Sequence, residues 1–384
     1  MNITHVCLCG PVTDFFSYQD NLLSKYHAKL NHKVTLITSE WVWSKEGRLE
    51  KNRGKQYIND DNVKIIRLKI KGNDKFEKKF KIYKNFYKTL ELSKPEIIFI
   101  HGSQFLNIFT IIRFLKKNKN VIVYVDNHAD FSNSATNWLS INILHKIIWR
   151  ITTQKILPFT KMFYGVLPSR VDFLKNIYRV PDNKVELLLM GIDDEKMEQS
   201  LKNYSKKDYR KKLNLSNDDF VILTGGKIDN SKKQIFNLIS AVKEIKQKNV
   251  KLLIFGSVAK ELKDEFFRSI DSKKIIFIGF INDEESFKMI DIADLVIFPG
   301  RHSVYWEQVV GQGTPLIVKY WEGSTHVDLG GNVKFLYKDN KDEIKNIIYS
   351  LLENKEDYEI MKNSAKKIEI ENFKYSNIAK KSIM

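Results

Sequence analysis

Short apolar runs recur along the chain, and between them the apolar positions move to a spacing of three and four residues. THVCLCG at 4–10, HKVTLIT at 32–38, PEIIFIHG at 95–102 and NVIVYVDNHAD at 120–130 read as strands. YQDNLLSKYHAKL at 18–30 and a segment reaching about Lys119 read as helices. A long aromatic-rich helical stretch over 138–165 leads into a further strand, MFYGVLP at 162–168. Strands that alternate with helices in this way predict a parallel sheet wrapped by helices.

The pattern restarts after a polar segment near Met190, Gly191, Ile192 and Asp193. A charged helix, SKKDYRKKL, precedes the strand DFVILTGG at 219–226. Further strands follow at 250–257, 274–280, 294–300 and 313–318, with helices from Lys233 to Lys248, up to Ala293, and at the end of the chain. The expected fold is α/β: two Rossmann-like, doubly wound domains in series, joined by a linker at about 188–200 and facing a cleft. No repeat with a period of 20–50 residues is present.

A length of 384 residues accommodates two such domains, and the hydrophobic fraction of 43% is that of a soluble globular chain. The opening MNITHVCLCGPV lacks a basic n-region before a long apolar run, and no stretch reaches the roughly 18 apolar residues of a membrane span. A cytoplasmic location is therefore expected. The two cysteines, Cys7 and Cys9, alternate on one apolar segment and read as small buried thiols in a reducing compartment.

Charge is distributed unevenly. Residues 1–190 carry 31 Lys/Arg and 16 Asp/Glu, a net charge of +15, whereas residues 191–384 carry 33 and 30, net +3. The densest segment, KGNDKFEKKFKIYKNFYKTLELSK at 71–94, has eight lysines against three acids, with Phe76, Phe80, Tyr83, Phe86 and Tyr87 interleaved. A basic amphipathic helix with aromatic anchors suits an anionic membrane surface. A solvated helix whose aromatic stripe joins the core is the competing reading.

Several chemistries lack their usual supports. There is no GxGxxG after the first strand, no GxxxxGK[ST], no HExxH and no pair of aspartates spaced two apart. These absences argue against nicotinamide cofactors, P-loop phosphoryl transfer and a metal-chelated sugar nucleotide, so neither cofactor nor metal is expected. GGKIDNSKKQ at 225–234 does offer an anion site: Gly226 and its neighbour let the backbone approach, and Lys227 and Lys232 add positive charge before a helix. A lysine-rich turn in a lysine-rich protein is the alternative. FPGRHSVYWEQVVGQGTPLIV at 298–318 interrupts two strands with charge and aromatics. VDNHAD sets Asp126, His128 and Asp130 just past another strand end.

Taken in order, these segments resemble the GT-B glycosyltransferases of the family 4 type, which move a sugar from a nucleotide donor. The resemblance runs over nearly the whole chain. It rests on the N-terminal CGPVTDFFSYQDNLLSKYHAKLNHKVTLIT, LPSRVDFLKNIYRVPDNKVELLLMGID at 167–193, GGKIDNSKKQ, IIFIGFINDEESFKMIDIADLVIFP at 275–299, and WEQVVGQGTPLIV.

The resemblance implies an acceptor-binding domain at 1–188, a nucleotide-sugar-binding domain at 189–368, and a closing helix at 369–384 that returns to the first domain. It implies that Glu307 holds the donor ribose, that Gly10 approaches the phosphates and that His128 reaches the donor sugar, with Asp126 and Asp130 shaping the acceptor pocket. Ile281 falls among the donor-binding positions. The first of the family's two glutamates would fall at Pro299, and His302 and Ser303 stand where the missing contact would be.

The implied partners are a nucleotide sugar, specifically a UDP-sugar, and a glycan or lipid-linked acceptor at an anionic membrane surface, with no nucleic acid. The implied setting is the inner face of a bacterial membrane, in the synthesis of capsule, lipopolysaccharide or a related polysaccharide, with retention of configuration and no metal. A sugar-nucleotide 2-epimerase on the same scaffold and a catalytically silent glycan- or nucleotide-binding protein stay open at this point.

Overall fold

Two parallel sheets account for the apolar runs. The computed structural model describes residues 1–14, 16–44, 48–52, 54–71, 80–270 and 272–384. It divides into unit 1, Met1–Met190 with Ile378–Met384, and unit 2, Gly191–Asn377.

The strands of unit 1 are β1 (Asn2–Cys7), β2 (Lys33–Ser39), a hairpin of β3 (Trp41–Trp43) and β4 (Leu49–Lys51), β5 (Gln56–Ile58), β6 (Lys64–Leu68), β7 (Ile97–His101), β8 (Ile122–Asn127), β9 (Met162–Gly165) and β10 (Val185–Leu187). Eight of them form one sheet in the order β10-β9-β8-β7-β1-β2-β6-β5, parallel except where β5 runs antiparallel to β6. Side chains alternate across the sheet, so the register decides what each face carries. Val6, Ile98, Ile100, Val123, Val125 and Phe163 share one face and pack into the main core. The other face carries His5, Phe99, His101, Tyr124, Asp126 and Tyr164. It is covered by the helix Gln19–Lys29 and by the end of the C-terminal helix Tyr375–Ser382, which returns to unit 1.

Unit 2 contains β11 (Phe220–Ile228), β12 (Val250–Val258), β13 (Ile275–Gly279), β14 (Leu295–Phe298), β15 (Leu316–Lys319) and β16 (Val333–Leu336). They form a six-stranded parallel sheet in the order β13-β12-β11-β14-β15-β16. Ile222, Leu252, Ile254, Leu295, Ile297 and Ile317 are fully buried in its core.

Three sequence expectations change. The linker expected at 188–200 contains the helix Asp194–Leu201, capped by the Asp193 side chain on the Lys196 amide. The continuous basic helix expected over 71–94 is not formed in its described part, residues 72–79 lying outside the described residues. Lys81 and Asn85 have φ of 51° and 59°, Tyr83 bridges Ile70, and the helix spans only Phe86–Ser93. The stretch 138–165 is helical but mixed, π-helical over Ser140–Trp149 and α-helical over Arg150–Ile156. β5, β6, β10 and β16 are short segments that the apolar pattern does not single out.

Candidate functional site

In unit 2 the ends of β11 and β14 meet around one pocket. β11 ends in Gly225, Gly226 and Lys227. A Cβ on Gly225 would lie 2.5 Å from the Phe255 ring, and Gly226 has φ +102°, so both positions require glycine. The side chain of Asp229 caps the following turn at the Ser231 amide, 3.0 Å, and the turn brings Lys232 back so that its Nζ is 3.6 Å from where a Gly226 Cβ would stand. β14 runs into Pro299, Gly300 and Arg301. The pocket is lined by Thr224, Gly225, Lys227, Lys232, Gly300, Arg301 and Ser303, among others. Burial lowers the Lys232 pKa; Asp229 opposes this, and the like charges of Arg301 and Lys227 push it further down. An anion in the pocket would relieve that repulsion.

Glu307 lies in the first turn of the helix Tyr305–Gln312 and is fully buried. Its Oε1 accepts hydrogen bonds from His302 Nε2 and His326 Nε2, each at 2.8 Å, while Oε2 has no partner. Burial would raise its pKa, but the two imidazoles outweigh burial and hold it at about 2. His302 in turn packs edge-on against buried Trp306, with ring centroids 4.9 Å apart. These three side chains are grouped as a metal site would be. The 2.8 Å separations are those of hydrogen bonds, shorter than the about 3.3 Å between two tetrahedral ligands on zinc bonds of about 2.0 Å.

The strand ends of unit 1 carry a different set. Asp126, fully buried at the end of β8, accepts from His101 Nδ1 at 2.8 Å, and its Oδ1 has no hydrogen-bond partner. His128 places Nε2 3.3 Å from Asp126 Oδ2, and its side chain is 39% exposed. Burial would raise the Asp126 pKa, but His101 and His128 hold it far below the usual carboxylate range. Asp20, on the helix Gln19–Lys29, stands 3.0 Å from His101 Nδ1. Asp130 is engaged at both oxygens, by Ser132 on one side and by Arg170 Nε at 3.1 Å on the other.

The structure therefore brings together Lys227, Lys232 and Ser303 in one pocket, lined by Gly225 rather than Gly226, pairs His302 with Glu307, and clusters Asp126 with His128. Ile281 is buried and does not line that pocket, whereas its neighbour Phe280 is 83% exposed. Gly10 is exposed, and a Cβ there would meet no atom within 4 Å. Sequence reasoning assigned no role to Arg301, His326, Asp20 or His101. Arg301 sits at a strand end beside the pocket, a signal that was legible. His326 lies 19 residues beyond Glu307 in a segment without periodicity, and only the folded loop connects them.

Residues 205–368 match the family described as glycosyl transferases group 1. Over 216 residues the chain is 25% identical to the uncharacterized glycosyltransferase MJ1607 of Methanocaldococcus jannaschii; the match covers 54% of this chain and 55% of that protein, about half of each. Among solved structures, sucrose-phosphate synthase from Thermosynechococcus elongatus is similar with a TM-score of 0.68 at 16% identity, over 99% of this chain and 96% of that one. Alr3699/HepE of Anabaena in complex with UDP is similar with a TM-score of 0.68 at 13% identity, over 99% and 98%. At these identities the structural likeness is one of fold.

Proposed function

We propose, from the match of residues 205–368 to the glycosyl transferases group 1 family, that the protein moves a sugar from a UDP-sugar to a glycan or lipid-linked acceptor. The observation that carries this reading is the convergence of Lys227, Lys232 and Arg301 near the glycine pair at the end of β11. The diphosphate lies against that pair and the three cations. Glu307 Oε2, buried and without a partner, accepts a hydrogen bond from a ribose hydroxyl. The HepE complex with UDP on the same fold supports uridine as the base.

When the bond between the anomeric carbon and the phosphate oxygen breaks, its electron pair and negative charge pass to the diphosphate. Preorganised cations stabilise that charge more in the transition state than in the bound donor. The acceptor oxygen bonds to the anomeric carbon on the same face, and its proton passes to the leaving phosphate, so configuration is retained. No step needs a metal. The family's first glutamate is replaced by Pro299, and His302 and Ser303 take its place beside the donor sugar. In unit 1, His128, with Asp126 behind it, serves a sugar hydroxyl, and Asp130 keeps its loop in shape through Arg170.

The setting is the membrane surface, where the acceptor is lipid-linked. Among the described residues no helix is long and apolar enough to cross a membrane. Exposed Trp138, Leu139, Ile147 and Ile151 follow one another along the helical stretch of unit 1.

Calorimetry with UDP, followed by product analysis with radiolabelled UDP-glucose and extracted membrane lipids, tests the reading. Binding of UDP and label transferred to lipid, in EDTA as in its absence, are the expected results. Failure to bind any nucleoside diphosphate would overturn it.

A further inference from the structure

One face of the unit 1 sheet carries a line of histidines that the reaction as described does not use. His101 Nδ1 lies 2.8 Å from Asp126 Oδ2 and 3.0 Å from Asp20 Oδ1. His101 Nε2 lies 2.9 Å from His5 Nδ1, His5 Nε2 lies 2.9 Å from His27 Nδ1, and His27 Nε2 lies 3.0 Å from both the Ala379 carbonyl oxygen and Ser382 Oγ. All three imidazoles are buried, His5 and His27 completely. They are brought together by alternation. His5 and His101 point to the same face of neighbouring strands, and the helix Gln19–Lys29 lays His27 and Asp20 over that face.

The two ends of the line fix its hydrogens. A carbonyl oxygen can only accept, so His27 Nε2 carries a proton and donates to Ala379. A neutral His27 then has a bare Nδ1, which accepts from His5 Nε2. His5 in turn has a bare Nδ1, which accepts from His101 Nε2. At the far end the Asp126 carboxylate accepts from His101 Nδ1, with an Asp20 oxygen 3.0 Å from the same nitrogen. His101 therefore carries both protons and is an imidazolium, while His5 and His27 are neutral. The directions of the pKa shifts agree: burial lowers His5 and His27, and although burial also opposes the charge on His101, the Asp126 and Asp20 carboxylates raise it. Cys7, close to the same groups, is pushed up to about 12 by burial and stays a thiol.

We infer that His5 and His27 are positioning residues, a one-way hydrogen-bonded relay that starts on the returning C-terminal helix and holds His101 as the cation between Asp20 and Asp126. Were His5 to donate toward His101 instead, His101 would lose a proton, and two carboxylates within 3.0 Å of one neutral ring nitrogen would repel each other. With the relay in place a cation faces both carboxylates, and this corner of unit 1 offers hydrogen-bond acceptors: Asp20, on the covering helix and 27% exposed, and the buried, partnerless Oδ1 of Asp126. That chemistry fits hydroxyl groups and disfavours an anion. The ligand class is thus a neutral polyol or the sugar end of an acceptor, an assignment that rests on the transferase reading, whereas the protonation pattern does not.

The pattern is read directly by nitrogen NMR of the histidine side chains in the full chain at pH 7. We expect two protonated nitrogens on His101 and the Nε2–H tautomer on His5 and His27. A singly protonated His101, or a proton on Nδ1 of His5 or His27, overturns the relay whether or not the protein transfers sugar. Two variants of similar size then separate relay from packing. His27→Asn keeps an acceptor where Nδ1 was and loses the tie to Ala379; His27→Gln keeps a donor toward Ala379 and loses the acceptor for His5. His101 should remain doubly protonated in the first and change in the second. Release of UDP from UDP-glucose should slow by about tenfold in H27Q, the equivalent of one unpaired buried donor, with UDP affinity unchanged. Equal behaviour of the two variants in both readouts overturns the positioning role.

Discussion

At the strand ends of unit 1 the polar groups are His101 and the Asp126 carboxylate, with Asp20 added from the covering helix, whereas at those of unit 2 they are Lys227, Lys232 and Arg301 around a glycine pair. Both sites lie at the C-terminal edge of a parallel sheet, where such folds bind ligands. The difference runs opposite to net charge, since residues 1–190 carry +15 and residues 191–384 only +3. Net charge reports the outer surface, and a few residues at strand ends decide the local field. Under the proposed function, one sheet edge offers cations to a diphosphate and the other offers acceptors to hydroxyls.

The largest test of this contrast is removal of a cation. Lys232→Ala should cost roughly 2–4 kcal/mol of transition-state stabilisation, about 30- to 1,000-fold in turnover of UDP-glucose. Lys227→Ala should cost less, because its side chain is 72% exposed and its charge is already screened by water. Steady-state kinetics on both variants decide the matter, and wild-type turnover in Lys232→Ala would remove the diphosphate from this pocket.

Acid should separate the units. Burial holds His27 down at about 4, so the unfolded chain takes up a proton below about 6.5 that the folded chain refuses. Stability from this group is complete above pH 6.5 and falls as pH drops toward 4, by up to about 3 kcal/mol. His101 has the opposite sign: its raised pKa contributes fully below 6.5 and loses effect only as pH rises through the folded value. Glu307, held at about 2, contributes above 4.5 and loses effect only as pH falls from there toward 2. Between pH 6.5 and 4.5, hydrogen exchange should therefore show unit 1 loosening before unit 2. Equal loss of protection in both would contradict the contrast.

Much of this was legible before folding. GGKIDNSKKQ pointed to the cation-lined pocket because glycines, lysines and the strand before them are contiguous in sequence. The parallel sheets followed from the spacing of apolar runs. The histidine relay was not legible, because its members come from β1, β7, a covering helix and the chain's last residues. Only the register of the sheet places His5 beside His101. The partners of Glu307 divide in the same way: His302 is five residues away and was singled out, while His326 reaches it through a loop. The basic helix at 71–94 failed for a local reason. Composition favours a helix there, but Lys81 and Asn85 take left-handed conformations that interrupt it.

A smaller effect is expected from Glu307→Ala. Loss of a hydrogen bond to a charged group should weaken UDP binding by about 1–3 kcal/mol, measured by calorimetry. His302 and His326 lose their common partner in the same variant, so a thermal melt must accompany the titration. Unchanged affinity would make the carboxylate a purely structural anchor for the two imidazoles and leave the ribose to other groups.

The smallest increments per residue belong to the outer surface of unit 1, where the excess charge lies. Trp138, Leu139, Ile147 and Ile151 are each between 47% and 71% exposed, and Lys146 and Lys155 lie within the same helical stretch. Lys78 and Lys79, the basic pair expected to share in this contact, lie outside the described residues. Each lysine near an anionic bilayer is worth about 1 kcal/mol, screened within a Debye length of about 10 Å at 0.1 M salt. Vesicles containing phosphatidylserine should therefore bind the protein at low salt and release it as salt rises. Charge reversal at Lys81, Lys84, Lys146 and Lys155 should lower the affinity stepwise, while Trp138→Ala should weaken the part of binding that salt does not remove. UDP affinity should be untouched by all of these changes if, as proposed, the cations of unit 2 serve the diphosphate. If the wild type ignores anionic vesicles at low salt, the excess charge of unit 1 is a solvated face, and a soluble glycan replaces the lipid-linked acceptor.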